Sequence, residues 1–159
     1  RGLALASVPA VRVSEAVREF GQRDPSVMYH LRPGGYVVVL NTAGHVLLGL
    51  THEGVFLPGG GQDAGEGPEQ AAVREAWEEC GYRVRLGPML GVADELVYVI
   101  EESRHCRKRC TFFVAHVIEQ DAAKAPDHEV AWMPVAEAQR RLRDGSQRWA
   151  IDLALQATP

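Results

Sequence analysis

Three glutamates near the middle of the chain have a spacing that could bind a metal ion. On a helix that turns about 100° per residue, Glu75, Glu78 and Glu79 fall within an arc of about 100°, and apolar residues occupy the other side. Like charges at these spacings repel one another, and a hard divalent cation such as Mg²⁺ would offset that repulsion and bridge to substrate phosphates. A solvated acidic face is the alternative for three glutamates considered alone, so their neighbours decide between the two.

The residues around these glutamates follow a longer pattern. The segment from Gly60 to Tyr82 reads G-x5-E-x7-R-E-U-x-E-E-x-G-U, where U is a bulky apolar residue. The fixed positions are filled by Gly60, Glu66, Arg74, Glu75, Glu78, Glu79 and Gly81. Ala76 and Tyr82 occupy the U positions, Ala76 being smaller and Tyr82 more polar than is usual there. The segment therefore resembles the Nudix box, the signature of the Nudix hydrolase family.

The resemblance extends beyond the box and covers residues 33–143. Residues 36–50 look like the family's opening strands, residues 56–61 like the approach to its box, and residues 130–135 like its late strand. The resemblance implies an α/β fold, the Nudix α/β/α sandwich around a mixed β-sheet.

The family pattern also implies roles for the box residues. Glu78 and Glu79 would be direct metal ligands, and Glu75 would be a further ligand or the group that takes a proton from water. The carbonyl of Gly59 is a candidate backbone ligand. The implied cofactor is Mg²⁺, with Mn²⁺ as a possible substitute.

Four other box residues are implied to be structural. An ion pair between Glu66 and Arg74 would tie the loop to the helix and hold the carboxylates in place, although an ordinary surface pair is the alternative. Gly60 and Gly81 complete the structural set.

The resemblance also implies that the catalytic base need not lie in the box. Glu129 lies in a predicted loop just before a strand, near the predicted site, and is our leading candidate. A solvated turn acid is the alternative for this residue.

Several basic residues could bind substrate phosphates, because arginine and lysine are natural phosphate partners. The run at residues 104–109 is basic in an otherwise acidic protein and includes Arg107 and Arg109; Arg32 is a further candidate. A solvated turn is the more common role for such a run. The aromatic residues Tyr98, Phe112 and Trp132 could stack on a base, but strand aromatics more often belong to the core.

The elements that must position these residues can be read from the same sequence. Pro68 to Cys80 is predicted to be helical, with Gly67 as the N-cap and Gly81 as the stop. Residues 36–50 predict a hairpin around a turn at residues 41–44. Other predicted elements are a short helix at 15–20 closed by Gly21, strands at 82–86, 90–100 and 111–118, and helices at 134–143 and 146–155.

These elements suggest two regions, residues 1–32 as an N-terminal extension with a short helix and residues 33–159 as the Nudix hydrolase domain. The chain has 159 residues, of which 46% are hydrophobic, and this is enough for one core.

Charge and composition also bound the partners and the compartment. The net charge of -4 argues against a surface that coats nucleic acid. No apolar stretch reaches the roughly 20 residues that cross a bilayer, and three cysteines without a disulfide pattern favour a cytoplasmic compartment.

The sequence therefore predicts a Mg²⁺-dependent pyrophosphohydrolase that acts on a nucleoside diphosphate linked to some group X. Nucleoside triphosphates, including oxidised ones, come first, and ADP-ribose, nucleotide sugars and dinucleoside polyphosphates remain open. The alternative is a non-catalytic Nudix-fold nucleotide sensor, which would have no need for three crowded acids. A Nudix-related isomerase is a further rival. The expected partner is a small nucleotide, not a nucleic acid or a membrane, and a homodimer is possible.

Overall fold

Two β-sheets carry the fold in the computed structural model, which describes residues 17–157. The elements, in chain order, are β1 (Arg18–Phe20), β2 (His30–Val39), β3 (His45–Thr51), β4 (Gly54–Phe56), β5 (Gly59–Gly61), α1 (Pro68–Cys80), β6 (Tyr82–Val99), β7 (Arg104–Gln120), β8 (Glu129–Pro134), α2 (Val135–Arg141) and α3 (Gly145–Ala157). The larger sheet has the order β1-β6-β7-β2-β5 and the smaller sheet the order β4-β3-β8.

The larger sheet is mixed, as predicted, and helices cover both of its faces. β2 runs parallel to β7 and antiparallel to β5, while β6 and β7 form a long antiparallel pair. Successive residues of β2 point to opposite faces. Val37 therefore packs in the cluster that includes Ala72 and Ala76 of α1, while Val38 packs in the cluster that includes Ile151 of α3. This arrangement confirms the α/β/α sandwich.

Helix α1 has the bounds that the sequence predicts. Gly67 is the N-cap in an extended conformation, Pro68 occupies the first turn, and Gly81 ends the helix at φ +75° with its N–H bonded to the carbonyl of Trp77. The helix lies very close to β2 at Gly35, where an added Cβ atom would come within 1.9 Å of the Pro68 carbonyl oxygen. A glycine at this position allows the helix to reach the sheet.

The prediction of a helix at residues 15–20 is wrong for residues 18–20. Residues 15 and 16 lie outside the described part of the chain, and Arg18–Phe20 form strand β1, which pairs in parallel with Ala93–Glu95 of β6. The Phe20 ring packs beside the Trp149 ring at 5.9 Å. Pairing with the edge of β6 and packing against α3 therefore override the local preference for a helix.

The turn at residues 41–44 is confirmed, but the predicted hairpin is wrong. Oδ1 of Asn41 accepts hydrogen bonds from the N–H groups of Ala43 and His45. Strands β2 and β3 then diverge into different sheets, and a single bridge joins Leu40 to Val46. The cause is that β5 and β7 occupy both edges of β2, which leaves β3 to pair with β4 and β8.

The later elements agree with prediction except at their boundaries. β6 is one irregular strand instead of two, and β7 begins at Arg104, so the basic run lies inside a strand and not before it. Two C-terminal helices are present, and α3 begins at Gly145, one residue before the predicted start. Among the described residues, no helix is long and apolar enough to cross a membrane.

Candidate active site

Helix α1 presents two of its glutamates to a cavity of about 300 Å³, called here the central cavity. Glu75 and Glu79 line it together with the three glycines of β5. The remaining walls come from β2, from β3 and β4, from the tip of the β6–β7 pair, and from the start of α3. The cavity therefore lies where both sheets and two helices meet.

Glu79 is mostly buried and is bonded to the main chain of β5. Its side chain is 19% exposed, and Oε2 accepts a hydrogen bond from the N–H of Gly59 at 3.2 Å. Burial, together with the neighbouring charge of Glu75, raises the pKa of Glu79 to about 8, against the hydrogen bond from Gly59 that lowers it. The charge of Lys108 in the cavity wall also lowers the pKa of Glu79, but less than the hydrogen bond from Gly59 does.

Glu75 lies beside Glu79 and is equally shielded, with 18% of its side chain exposed. Burial raises the pKa of Glu75 while its hydrogen bond to Arg74 works in the opposite direction. A Cβ atom at Gly60 would come within 2.8 Å of the Glu75 carboxyl carbon. Gly60 therefore leaves the space that this carboxylate occupies, which gives a physical reason for a glycine at that position of the box.

Gly59 also needs to be glycine. Its φ is +155°, and an added Cβ atom would come within 2.3 Å of the Tyr36 ring. The close approach brings the Gly59 N–H to the Glu79 carboxylate. Strand β5 is therefore held between β2 and α1.

Arg74 joins the loop before α1 to the carboxylates. Its Nε and Nη2 each donate to an oxygen of Glu66 at 2.8 Å, which is the ion pair expected from the sequence, and Nη2 also donates to the Gly61 carbonyl at 3.0 Å. Nη1 donates to Glu75 at 2.9 Å and to Glu78 at 3.1 Å. The hydrogen bond from Arg74 lowers the pKa of Glu66 to about 2. One guanidinium thus orients two of the three glutamates.

Glu78 differs from the other two glutamates. Its side chain is 37% exposed, it bonds to Arg74, and it is not among the residues that line the central cavity. Among residues 17–157, no three His, Cys, Asp or Glu side chains lie close enough together to form a metal site by themselves. The carboxylate oxygens of Glu75 and Glu79 nevertheless suit a hard divalent cation, because a cation would relieve the repulsion between these adjacent groups.

The structure divides the predicted substrate arginines. Arg32 lines the central cavity, where its Nε lies 3.0 Å from Oε1 of Glu102. Arg109 is bound by both oxygens of Asp94 at 2.9 and 3.0 Å, and Arg107 lies 3.5 Å from the same carboxylate. Neither residue lines the cavity. Side chains alternate along a strand, so Lys108 between them is the one that faces the cavity.

Lys108 is a cavity cation that the sequence analysis missed. Its side chain is 11% exposed, and Nζ lies 3.6 Å from Oδ2 of Asp144 and 5.4 Å from the centre of the Tyr36 ring. Burial alone would lower the pKa of Lys108, but Tyr36 and Asp144 outweigh it and raise the pKa above the usual lysine value. Lys108 is therefore a cation inside the cavity wall. The alternation of the basic run could have identified it if the strand had been located correctly.

Glu129 is not at the central cavity. It is the exposed first residue of β8, paired with Leu50, and it lines a neighbouring pocket. His128 faces the central cavity instead, with Nε2 3.6 Å from Oε1 of Glu79, and Glu53 also lines the cavity. Glu53, Glu101 and His128 are titratable residues outside the box that line the cavity and that sequence reasoning did not single out.

Two further residues that line the central cavity, Gln147 and Arg143, carry hydrogen-bond donors. Oε1 of Gln147 accepts the N–H of Leu57 at 2.7 Å, which fixes the amide and leaves its NH₂ group without a partner among the described residues. Arg143 stacks on the Phe56 ring at 4.6 Å and donates to Asp144. No local motif marks Gln147 or Arg143, because only the fold brings them to the cavity.

Only one of the three candidate stacking aromatics lies at the cavity. Tyr98 lines it and is 53% exposed. Phe112 is completely buried between the rings of Tyr36 and Trp149, and Trp132 donates a hydrogen bond to the Tyr82 hydroxyl in the core beside α1. Phe112 is therefore a core residue, and Trp132 is partly buried against the core.

Comparison with protein families and curated proteins gives one family. The model described as NUDIX domain matches residues 30–153. A Bacillus subtilis (strain 168) protein named "Putative 8-oxo-dGTP diphosphatase" is 44% identical over 61 residues, which are 37% of this chain and 41% of that protein. Mouse "Diphosphoinositol polyphosphate phosphohydrolase 3-alpha" is 40% identical over 64 residues, 40% of this chain and 35% of that protein. The matches thus span less than half of each relative.

The fold of this chain is also similar to those of solved structures. A NUDIX hydrolase from Nitrosomonas europaea has a TM-score of 0.65 at 19% identity and covers 79% of this chain and 88% of its own. A MutT protein from Methanosarcina mazei Go1 has a TM-score of 0.63 at 18% identity, covering 84% of this chain and 99% of its own. At these identities the likeness concerns the fold.

Proposed function

The chain belongs to the NUDIX domain family, since the family model matches residues 30–153, and from this we propose that it is a Mg²⁺-dependent pyrophosphohydrolase. Its substrate in this proposal is a nucleoside diphosphate linked to a group X, with nucleoside triphosphates, including oxidised ones, as the first candidates. The bond that breaks is a diphosphate linkage, and water supplies the hydroxyl group that adds to phosphorus.

The pairing of Glu75 and Glu79 in the central cavity is the observation that carries this proposal. The two carboxylates are adjacent and mostly buried, and their pKa values are raised. Holding two such acids together costs folding free energy, and a bound divalent cation would offset that cost. Perturbed carboxylates in a cavity are typical of functional sites.

Each residue of the site has a role in the proposed reaction. Glu78, Glu79 and the Gly59 carbonyl hold the metal, and Glu75 is a further ligand or accepts a proton from the attacking water. Mg²⁺ supplies positive charge that neutralises the diphosphate and makes water more acidic. Arg74 fixes the direction of Glu75 and Glu78, with which it shares hydrogen bonds.

Other residues bind substrate or move a proton in this proposal. Arg32 and Lys108 line the cavity and attract phosphate oxygens. Glu53 and His128 are better placed to accept a proton than Glu129, because both line the central cavity while Glu129 faces the pocket beside it. Arg107 and Arg109 are held by Asp94 away from the cavity.

Two observations support a nucleotide as the substrate. The Bacillus subtilis relative carries the name of an 8-oxo-dGTP diphosphatase. The cavity also combines hydrogen-bond donors with the aromatic side chains of Phe56 and Tyr98, which suits a planar base with acceptor atoms.

The cellular location and the oligomeric state are also part of the proposal. Three cysteines, Cys80, Cys106 and Cys110, are buried and free, which is compatible with the cytoplasmic location that we propose. A homodimer stays a prediction that analytical ultracentrifugation can test.

The decisive experiment is product identification after incubation with nucleoside triphosphates, oxidised nucleotides, ADP-ribose, nucleotide sugars and dinucleoside polyphosphates. We expect turnover with Mg²⁺, none in EDTA, and loss of at least about 100-fold in Glu79→Gln. Glu69→Gln, which changes an exposed glutamate in the first turn of α1, is the matched control and should keep full activity. Binding of a nucleotide without turnover by the unmodified protein would instead support a sensor.

A further inference from the structure

The segment Asp121–His128, which joins β7 to β8 and is called here the capping loop, covers the C-terminal end of α1. The N–H of Asp121 donates to the Gly81 carbonyl at 2.8 Å. The N–H groups of Asp127 and His128 donate to the carbonyls of Glu78 and Glu79 at 3.0 and 3.1 Å. Carbonyls in the last turn of a helix have no partner within the helix. A distant loop supplies those partners here.

One side chain of the capping loop reaches the same helix end. Nζ of Lys124 donates to the Glu78 carbonyl at 3.0 Å, bonds to the carbonyl of Ala125, and lies 3.3 Å from Oδ1 of Asp127. The ammonium also lies over the Trp77 ring at 5.5 Å, and the side chain is 18% exposed. The Lys124 ammonium therefore connects the main chain of α1 to the main chain of the loop.

The position of this cation agrees with the electrostatics of the helix. The last turn of α1 contains no basic residue of its own. The C-terminal end of a helix carries a partial negative charge, and a cation placed there is stabilising. Lys124 thus supplies from another part of the chain the charge that α1 lacks.

The contacts fall on the residues whose positions matter for the proposed reaction. Glu78 and Glu79 carry two of the proposed metal-binding carboxylates, and the capping loop holds the carbonyl of each. The side chain of Arg74 ties the same helix to the preceding loop, because it donates to Glu66 and to the Gly61 carbonyl. Small displacements of such groups reduce metal binding and catalysis. The capping loop therefore controls the main-chain position from which both carboxylates extend.

We propose that Lys124 is a positioning residue for the metal-binding carboxylates, acting through the main-chain carbonyl of Glu78. The inference rests on the proposed function, because it assumes that Glu78 and Glu79 bind a divalent cation. Lys124 itself does not line the central cavity.

The test compares Lys124→Met, Lys124→Arg and the control Arg83→Met. Methionine keeps an aliphatic chain over Trp77 but removes the ammonium, whereas arginine can still donate to a carbonyl. Arg83 is the matched control because its guanidinium also lies over Trp77, at 5.2 Å, and contacts Asp121 in the capping loop, with no bond to the Glu78 carbonyl. The readouts are Mn²⁺ affinity by calorimetry, kcat and KM on a substrate that the product-identification experiment yields, and the thermal unfolding midpoint.

We expect Lys124→Met to bind Mn²⁺ about ten-fold more weakly and to lose about ten-fold in kcat, with KM little changed. Lys124→Arg should recover most of both losses, and Arg83→Met should match the unmodified protein. Unchanged Mn²⁺ affinity and kcat in a folded Lys124→Met would overturn the inference. So would equal losses in Arg83→Met, which would indicate a general effect on the loop.

If Lys124→Met does not fold, Lys124→Gln replaces it as the neutral variant. Mn²⁺ binding about ten-fold weaker in Lys124→Gln than in Arg83→Met would support the inference, and an unchanged Mn²⁺ affinity in Lys124→Gln would overturn it. An unmodified protein that hydrolyses nothing contradicts the proposed function, while the Mn²⁺ titrations still test the role of Lys124.

Discussion

The N–H of Gly59 donates a hydrogen bond to Oε2 of Glu79 over 3.2 Å. The two residues lie on different elements, the glycine strand β5 and the C-terminal half of α1. The amide dipole stabilises the charged form of Glu79, but burial and the nearby Glu75 outweigh it. The consequence is a carboxylic acid that holds its proton up to about pH 8 in the metal-free protein.

This raised pKa predicts how the metal-free protein responds to pH. In EDTA, the free energy of unfolding should fall as pH rises from the ordinary glutamate pKa of about 4.3 through about 8, because the folded state binds the Glu79 proton more tightly than the unfolded state does. Glu75, whose pKa is also raised, contributes with the same sign. Thermal unfolding from pH 5 to pH 9 measures the effect. Glu79→Gln should flatten the curve, and a stability that rises over this range in EDTA would contradict the prediction.

Arg74 should not be replaceable by lysine. The guanidinium binds both oxygens of Glu66 and also donates to Gly61, Glu75 and Glu78, a set of contacts that a single ammonium cannot reproduce. We expect Arg74→Lys to lower kcat/KM by about 10- to 100-fold. Steady-state kinetics on the identified substrate measures this. Arg85→Lys, at an exposed position of β6, is the control. A similar loss of kcat/KM in both variants would show that the several contacts of the Arg74 guanidinium are not what matters.

Gly35→Ala should destabilise the protein. The new methyl group would lie 1.9 Å from the Pro68 carbonyl oxygen, a main-chain atom that cannot rotate away, so α1 must move from β2. The expected loss in the free energy of unfolding is about 1 to 3 kcal/mol or more. Urea titration provides the measurement. At Gly49 the atoms nearest to an added methyl belong to the His128 side chain, at 3.6 Å, so Gly49→Ala should cost less free energy of unfolding than Gly35→Ala. The reverse order would contradict the packing of α1 on β2.

Gln147 should influence which substrates are accepted. Its Oε1 is committed to the Leu57 N–H, so its free NH₂ group can donate to a carbonyl oxygen on the substrate. Gln147→Glu keeps an acceptor for Leu57 and removes that donor. We expect kcat/KM to fall about ten-fold for nucleotides with a carbonyl on the base edge, and less for those with an amino group there. Competition between guanosine and adenosine nucleotides measures the ratio, with Gln120→Glu, an exposed position, as control. An equal fall for both bases would remove Gln147 from substrate selection.

The sequence was most informative where local residues determine local structure. Gly67, Pro68 and Gly81 favour the backbone conformations found at the ends of α1. The ion pair expected between Glu66 and Arg74 is also present in the structure. The short strand β1 shows the opposite situation. Three residues have little intrinsic preference, and their structure comes from pairing with β6, which no local pattern records.

The central cavity was harder to predict for a related reason. The sequence placed the basic run before a strand, where the alternation of faces gives no guidance. Only because β7 begins at Arg104 does that alternation direct Lys108 to the cavity and Arg107 and Arg109 to the other face. Gln147 and Arg143 reach the cavity only after α3 has packed on the larger sheet. Their roles come from tertiary contacts between segments that are far apart in sequence.

The parallel pairing of β2 with β7 has a consequence for folding kinetics. It joins His30–Val39 to residues more than seventy positions later in the chain, and β2 supplies Arg32 and Tyr36 while β7 supplies Lys108 to the same cavity. Contacts between such distant residues form slowly, because a long loop must close first. A nascent chain on the ribosome therefore cannot assemble this cavity until β7 has emerged, however early α1 and its glutamates become helical.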